Sequence, residues 1–133
     1  MSNSPFIIRE IQPQDNKALS EVIRSVILEM GAPKIGTAYE DQATDAMFEN
    51  YQKERAIYYV LECDNKVVGG AGIAPLDHFE GNVCELQKMY FLPEARGKGL
   101  GSKMISKCLQ TAHEFGFEQC YLETLPYMQA AVK

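Results

Sequence analysis

Arg96-Gly97-Lys98-Gly99-Leu100-Gly101 is the stretch whose residue types and spacing most directly suggest chemistry. It follows a strand-like run at residues 83–92 and a turn at Pro93, and it opens an amphipathic helix at residues 100–115. Glycines let a backbone approach a ligand closely, and the first N–H groups of a helix have no internal partner. Those groups and the positive end of the helix dipole favour an anion. The junction therefore reads as a phosphate site, with Arg96 and Lys98 adding charge; the alternative is a tight turn that needs its glycines only for geometry. The spacing excludes the nucleotide P-loop, Gly-x-x-x-x-Gly-Lys-Ser/Thr. It also excludes the dinucleotide fingerprint Gly-x-Gly-x-x-Gly, because the third glycine falls at 101 and no acidic ribose partner follows at the expected distance.

The elements that must position this turn can be read from hydrophobic spacing. Residues 6–11 predict a first strand. Asp15 predicts an N-cap for a helix whose Leu19, Val22, Ile23, Val26, Ile27 and Met30 recur at helical spacing, with Gly31 ending it. Residues 32–38 hold Pro33 and Gly36 and read as a loop. Residues 40–54 predict a weaker second helix with Ala43, Met47 and Tyr51 on one face. Residues 56–63 and 66–74 form a hairpin about Asp64-Asn65, the second strand broken by Gly69, Gly70 and Gly72. In the next strand, alternation places Glu85, Gln87, Met89 and Phe91 on one face and Lys88 on the other. The following helix buries Leu100, Met104, Ile105, Cys108, Leu109 and Ala112, and Gly116 stops it. Residues 117–125 predict a last strand, and Tyr127 begins a further helix. The hairpins predict antiparallel strands, and the helical crossover after Leu92 predicts a parallel pair. The fold class is mixed α+β, a mostly antiparallel sheet with helices on both faces.

The segment ELQKMYFLPEARGKGLG, residues 85–101, closely resembles the acetyl-CoA signature of the GNAT superfamily of N-acyltransferases. Its Arg-x-x-Gly-x-Gly stands here as Arg96, Gly99 and Gly101. A looser resemblance covers residues 6–133 in the family's order of elements. The resemblance implies a cleft where strands 83–92 and 117–125 splay apart and the pantetheine arm of the cofactor lies. It implies acetyl-CoA as co-substrate, with no metal. Met89, Tyr90 and Phe91 would hold the arm and orient the acetyl carbonyl through their backbones. Arg96, Gly97, Lys98, Gly99, Leu100, Gly101 and Ser102 would take the pyrophosphate. Glu85 matches the place of a catalytic Glu in some members and is the candidate general base; the other reading is a structural strand acid. The implied activity is direct transfer of an acetyl group from acetyl-CoA to a primary amine of a small molecule or protein. The alternative is a non-catalytic CoA-binding or regulatory domain of the same fold; an unliganded α/β interaction module would bind no CoA.

Two departures from the family pattern stand out. An Asn that contacts the cofactor in the family's last helix is matched here by Met128. The family continues to a Tyr that protonates the departing thiolate and then to two strands, whereas this sequence ends at Lys133. The expectation is a natural protein that extends further, supplying that Tyr and the missing C-terminal strands. Without them one sheet edge is uncovered, and self-association, with a homodimer as the candidate assembly, is expected. Other chemistry-bearing residues offer less. His113 lies near the edge of a helix stripe and His78 in a polar loop, neither with a recognisable Ser, Cys or Asp partner. Lys88 reads as snorkelling or ion-paired. Tyr39, Tyr51 and Tyr58 either line a pocket or fill the core. Cys63, Cys84, Cys108 and Cys120 are widely spaced and read as buried reduced thiols.

Composition sets the outer bounds. The chain has 133 residues, enough for one domain spanning 1–133. Its net charge of −5 argues against nucleic-acid binding, which wants a basic face. No apolar run approaches the roughly 20 residues that span a bilayer, so no membrane partner is expected. The start, MSNSPFIIRE, lacks a signal peptide's basic start and long apolar centre, which makes the cytoplasm the default location.

Overall fold

Five short runs pair into one sheet in a computed structural model that describes residues 5–31, 41–76 and 82–122. In chain order the elements are β1 (Phe6–Glu10), α1 (Asn16–Glu29), α2 (Met47–Asn50), β2 (Ile57–Cys63), β3 (Lys66–Pro75), β4 (Val83–Phe91), α3 (Leu100–Glu114) and β5 (Gln119–Tyr121). Short 3-10 turns at Pro13–Asp15, Gln42–Ala46 and Pro93–Ala95 lead into the three helices. Spatial order follows chain order; β1 to β4 pair antiparallel and β4 pairs with β5 in parallel. This is the mixed, mostly antiparallel sheet that the hairpins and the single helical crossover predict. The β2–β3 hairpin turns on Asp64 and Asn65, both left-handed, at φ 49° and 69°. Short polar side chains of this kind tolerate that region.

The sheet is covered on both faces. Leu19, Ile23, Val26 and Ile27 of α1 and Met47 of α2 pack on Tyr58, Val60 and Ala74. Leu100, Met104, Cys108 and Ala112 of α3 pack on Tyr59, Leu61, Ile73 and Leu86 of the opposite face. A strand buried on both faces reads as a continuous apolar run, as IYYVL in β2 does. The α3 stripe is narrower than its spacing suggests: Leu109 faces solvent, and buried Thr111 takes a place instead. Tyr59 Oη lies 2.6 Å from Thr111 Oγ1, which itself donates to the Lys107 carbonyl at 3.1 Å, so the phenol is the donor.

Several local expectations need correction. β3 is not broken by its glycines. A Cβ on Gly70 would lie 2.5 Å from the Tyr58 ring, and one on Gly72 would lie 2.6 Å from Tyr58 and 3.0 Å from Tyr51. A Cβ on Gly69 would collide with the Phe91 ring. These glycines form a flat floor for three aromatic rings. The second helix is largely replaced by the 3-10 turn. Asp41 accepts from the Ala43 N–H at 2.9 Å, and Ala46 leaves helical geometry, so only four α-helical residues follow and Tyr51 lies just past them. Thr, Asp and Asn are weak helix formers, which suits this outcome. Asp15 precedes α1 but does not cap it with its side chain. Its buried carboxylate instead accepts the Gln12 N–H at 2.8 Å and two Arg9 N–H groups at 2.8 and 2.9 Å.

The largest correction lies in β4. Gly70 pairs with Tyr90 and Gly72 with Gln87, so Ala71 alone faces Lys88 and Met89. Lys88 is left-handed at φ 51°, which makes this a β-bulge. One extra residue flips every side chain beyond it. Glu85 and Gln87 therefore do not share a face with Met89 and Phe91. The latter two pack beneath α3, while Tyr90 turns toward the α1 side. The expectations for Tyr39, His78 and Met128, for the helix from Tyr127, and for the strand past Leu122 lie outside the described residues. Among the described residues no helix is long and apolar enough to cross a membrane.

Candidate active site

The glycine-rich turn is built to leave amides open. After β4 the Leu92 N–H returns to the Val68 carbonyl at 2.8 Å, and Pro93–Ala95 makes one 3-10 turn. Gly97 and Gly99 are left-handed at φ 74° and 76°, a conformation that disfavours any side chain. Apart from chain neighbours, no atom of the described residues lies within 4 Å of where a Cβ on either would stand. Gly99 is the N-cap of α3 and has no side chain to cap it. The first intrahelical bond runs from the Lys103 N–H to the Gly99 carbonyl at 3.2 Å. The earlier amides, on Leu100, Gly101 and Ser102, have no acceptor within the helix. Leu100 buries its side chain, so only its backbone can serve a ligand. Lys98 and Ser102 are exposed beside these amides.

Arg96 has a different task from the one its place beside the glycines suggests. Its Nε and one terminal nitrogen donate to the Phe91 carbonyl at 3.0 and 2.7 Å. Both terminal nitrogens grip the Glu29 carboxylate at 2.8 and 2.7 Å. The guanidinium thus braces the turn against the end of β4 and the last residue of α1. The pair holds the Glu29 carboxyl below its ordinary range. Arg96 remains a candidate for phosphate contact through its backbone, and Lys98 is the cation of the turn that stays exposed.

β5 joins β4 at the start of that strand. The parallel pairing joins Val83, Cys84 and Glu85 to Gln119, Cys120 and Tyr121, and among the described residues it goes no further. Among the described residues, β4 from Leu86 onward is paired only with β3. Met89 and Phe91 bury their side chains and Tyr90 is half-buried against the α1 side, so this open edge consists mainly of backbone. Glu85 sits where the pairing stops, half-buried. Gln87 Nε2 donates to Glu85 Oε1 at 2.8 Å, and Tyr51 Oη donates to Gln87 Oε1 at 2.7 Å. Tyr58, whose ring lies tilted against Tyr51 at a centroid distance of 5.2 Å, donates to the Lys88 carbonyl at 2.7 Å and so ties down the bulge. Burial raises both phenols above their ordinary range, and the charge of Glu85 adds to the effect at Tyr51. Both therefore stay protonated donors. The part of Gln87 is visible in sequence only as its place two residues after Glu85. His113 is exposed on α3 and takes no part in this network.

A profile of the acetyltransferase (GNAT) family matches residues 25–133. The chain belongs to the GNAT acetyltransferase family. The uncharacterized N-acetyltransferase YjgM of Escherichia coli strain K12 is 44% identical over 128 residues, covering 95% of this chain and 76% of that protein. Two solved structures share the GNAT fold at lower identity. One is a GNAT acetyltransferase of Staphylococcus aureus Mu50, with TM-score 0.80 and 22% identity over 95% of this chain and 77% of that one. The other is an acetyltransferase of Clostridium acetobutylicum solved with acetyl-CoA, with TM-score 0.76 and 18% identity over 95% and 85%.

Proposed function

We propose that this chain transfers the acetyl group of acetyl-CoA directly to a primary amine of a small molecule or a protein. The observation that carries the reading is the glycine-lined, uncapped N-terminus of α3, set at the end of a strand whose outer edge, among the described residues, is unpaired beyond Glu85. Open amides at a helix start suit a diphosphate, and an open strand edge suits an amide-bearing arm such as pantetheine. The name of the Escherichia coli relative and the acetyl-CoA of the Clostridium structure support this ligand.

In this reading the amides of Leu100, Gly101 and Ser102 hold the pyrophosphate, with Lys98 adding charge. Backbone groups of Met89, Tyr90 and Phe91 hold the arm and polarise the thioester carbonyl. Glu85 takes the proton released as the amine nitrogen bonds to the thioester carbon. The C–S bond breaks and CoA leaves as the thiolate. Alignment of the two reactants supplies much of the acceleration, since the thioester is already activated.

The test is an acetylation panel of polyamines, aminoglycosides, amino acids and lysine peptides, read as acetyl-CoA-dependent thiol release. At least one amine should turn over, and Glu85→Gln should lower its kcat by roughly 10²–10⁴-fold. Gly99→Asp places an anion and a strained Cβ at the amides. It should weaken acetyl-CoA binding by roughly ten- to a hundredfold in calorimetry, the worth of about one charged hydrogen bond. Unchanged affinity in folded Gly99→Asp overturns the phosphate assignment. Tight CoA binding with no amine acetylated favours a non-catalytic role.

A further inference from the structure

We infer that Gln87, oriented by Tyr51, is the positioning residue that aims Glu85 at the acceptor amine. The inference rests on the reading of Glu85 as the base. It begins with direction. An ionised carboxylate only accepts hydrogen bonds, so the Gln87 amide must turn its nitrogen to Glu85. Its carbonyl oxygen then faces Tyr51, which has to donate. Tyr51 meets that demand: its ring is buried, and burial together with the nearby charge of Glu85 keeps the phenol protonated. The order Tyr51 Oη to Gln87 Oε1 to Glu85 Oε1, at 2.7 and 2.8 Å, is the one arrangement that satisfies every group in the chain.

The surroundings hold this chain in place. Gly72, directly across from Gln87 in the register, leaves room for the Tyr51 and Tyr58 rings. Tyr58 fixes the Lys88 carbonyl at the bulge, and Tyr90 is the next β4 side chain on this face. Glu85 and Gln87 are thus the last two β4 residues on this face before the bulge. Glu85 Oε1 is occupied by the amide, and no hydrogen bond from the described residues reaches Oε2. That oxygen is the one left for a substrate proton. Gln87 touches neither reactant in this arrangement. It restricts the carboxylate to one rotamer.

Two measurements test the assignment. In the free protein, the Gln87 side-chain amide resonances in a nitrogen–proton correlation spectrum should follow the ionisation of Glu85 as pH is varied. That response should disappear in Glu85→Gln and shrink in Tyr51→Phe. Kinetically, Gln87→Met keeps the volume and removes the donor. With the best amine of the panel it should lower kcat roughly ten- to a hundredfold and leave the acetyl-CoA KM within about twofold. Its acid limb should move to higher pH, because losing a donated hydrogen bond makes the carboxylate easier to protonate. Gln87→Glu, nearly isosteric but repulsive, should move the limb further the same way. Tyr51→Phe should give a smaller shift of the same sign. An amide that ignores pH, or an unmoved acid limb in both Gln87 variants beside an inactive Glu85→Gln, overturns the positioning role alone. Near-normal turnover in Glu85→Gln overturns the base reading and this inference with it.

Discussion

Cys84 and Cys108 sit with no solvent exposure, beneath α3 and against β4. Burial, with added effect from neighbouring thiols, pushes each up to about 12. A thiolate is the reactive form, so neither should react at pH 8. Cys63 and Cys120 are half-buried and more accessible. Iodoacetamide followed by peptide mass analysis should modify those two in the folded protein and reach Cys84 and Cys108 only after unfolding. Rapid labelling of Cys108 under native conditions contradicts the packing. The burial of these two thiols could be read from the apolar runs around them. The brace formed by Arg96 could not. Its place beside three glycines points to phosphate, while its partner Glu29 lies 67 residues away in the chain. Tyr51 and Gln87 were hidden for the same reason, since 36 residues separate them.

Among the elements, β3 carries most of the steric precision. Its glycines look like strand breakers in sequence because glycine has low strand propensity. Their reason is space for rings supplied by β2, by β4 and by the segment after α2. Gly72→Ala would press a methyl group against Tyr58 and Tyr51. It should destabilise the protein by about 1–3 kcal/mol, the usual cost of overpacking, measured as a lower denaturation midpoint at unchanged slope. It should also lower turnover, because Tyr51 cannot move without releasing Gln87. A midpoint within experimental error of the parent would show that the rings have room to spare. The hairpin at Asp64-Asn65 was legible because both residues carry the left-handed geometry its turn requires. The bulge at Lys88 was not, because lysine is an unexpected residue at positive φ. The face of every β4 side chain after it was therefore misread.

At the scale of the whole molecule, ion pairs tie helices and turns to one another and to the sheet. Arg9 of β1 links Asp15, at the entry to α1, with Glu62 of β2. Arg24 of α1 holds Asp45 of the turn before α2, and Arg96 holds the end of α1 at Glu29. At Asp15 burial works to raise the carboxyl, but the hydrogen bonds from Arg9 and the Gln12 N–H outweigh it, and the net direction is down. The Arg24 and Arg96 hydrogen bonds likewise lower Asp45 and Glu29. A carboxyl depressed in the folded state binds fewer protons there than in the unfolded chain. Its stabilisation is complete above the ordinary carboxylate range and is lost as pH falls through the folded values. The melting temperature should therefore be nearly level from pH 7 to about 5 and fall steeply below roughly pH 4. Arg9→Met separates this linkage from general acid denaturation. It removes the cation of the pair whose carboxylate is buried, where pairing counts most, whereas the exposed Arg24–Asp45 pair contributes little. The variant should melt lower than the parent at pH 7, and the gap should narrow as pH falls below the ordinary carboxylate range and Asp15 becomes protonated. A gap that stays constant from pH 7 to 3 would mean that Arg9 acts through packing of its stem rather than through the charge of Asp15.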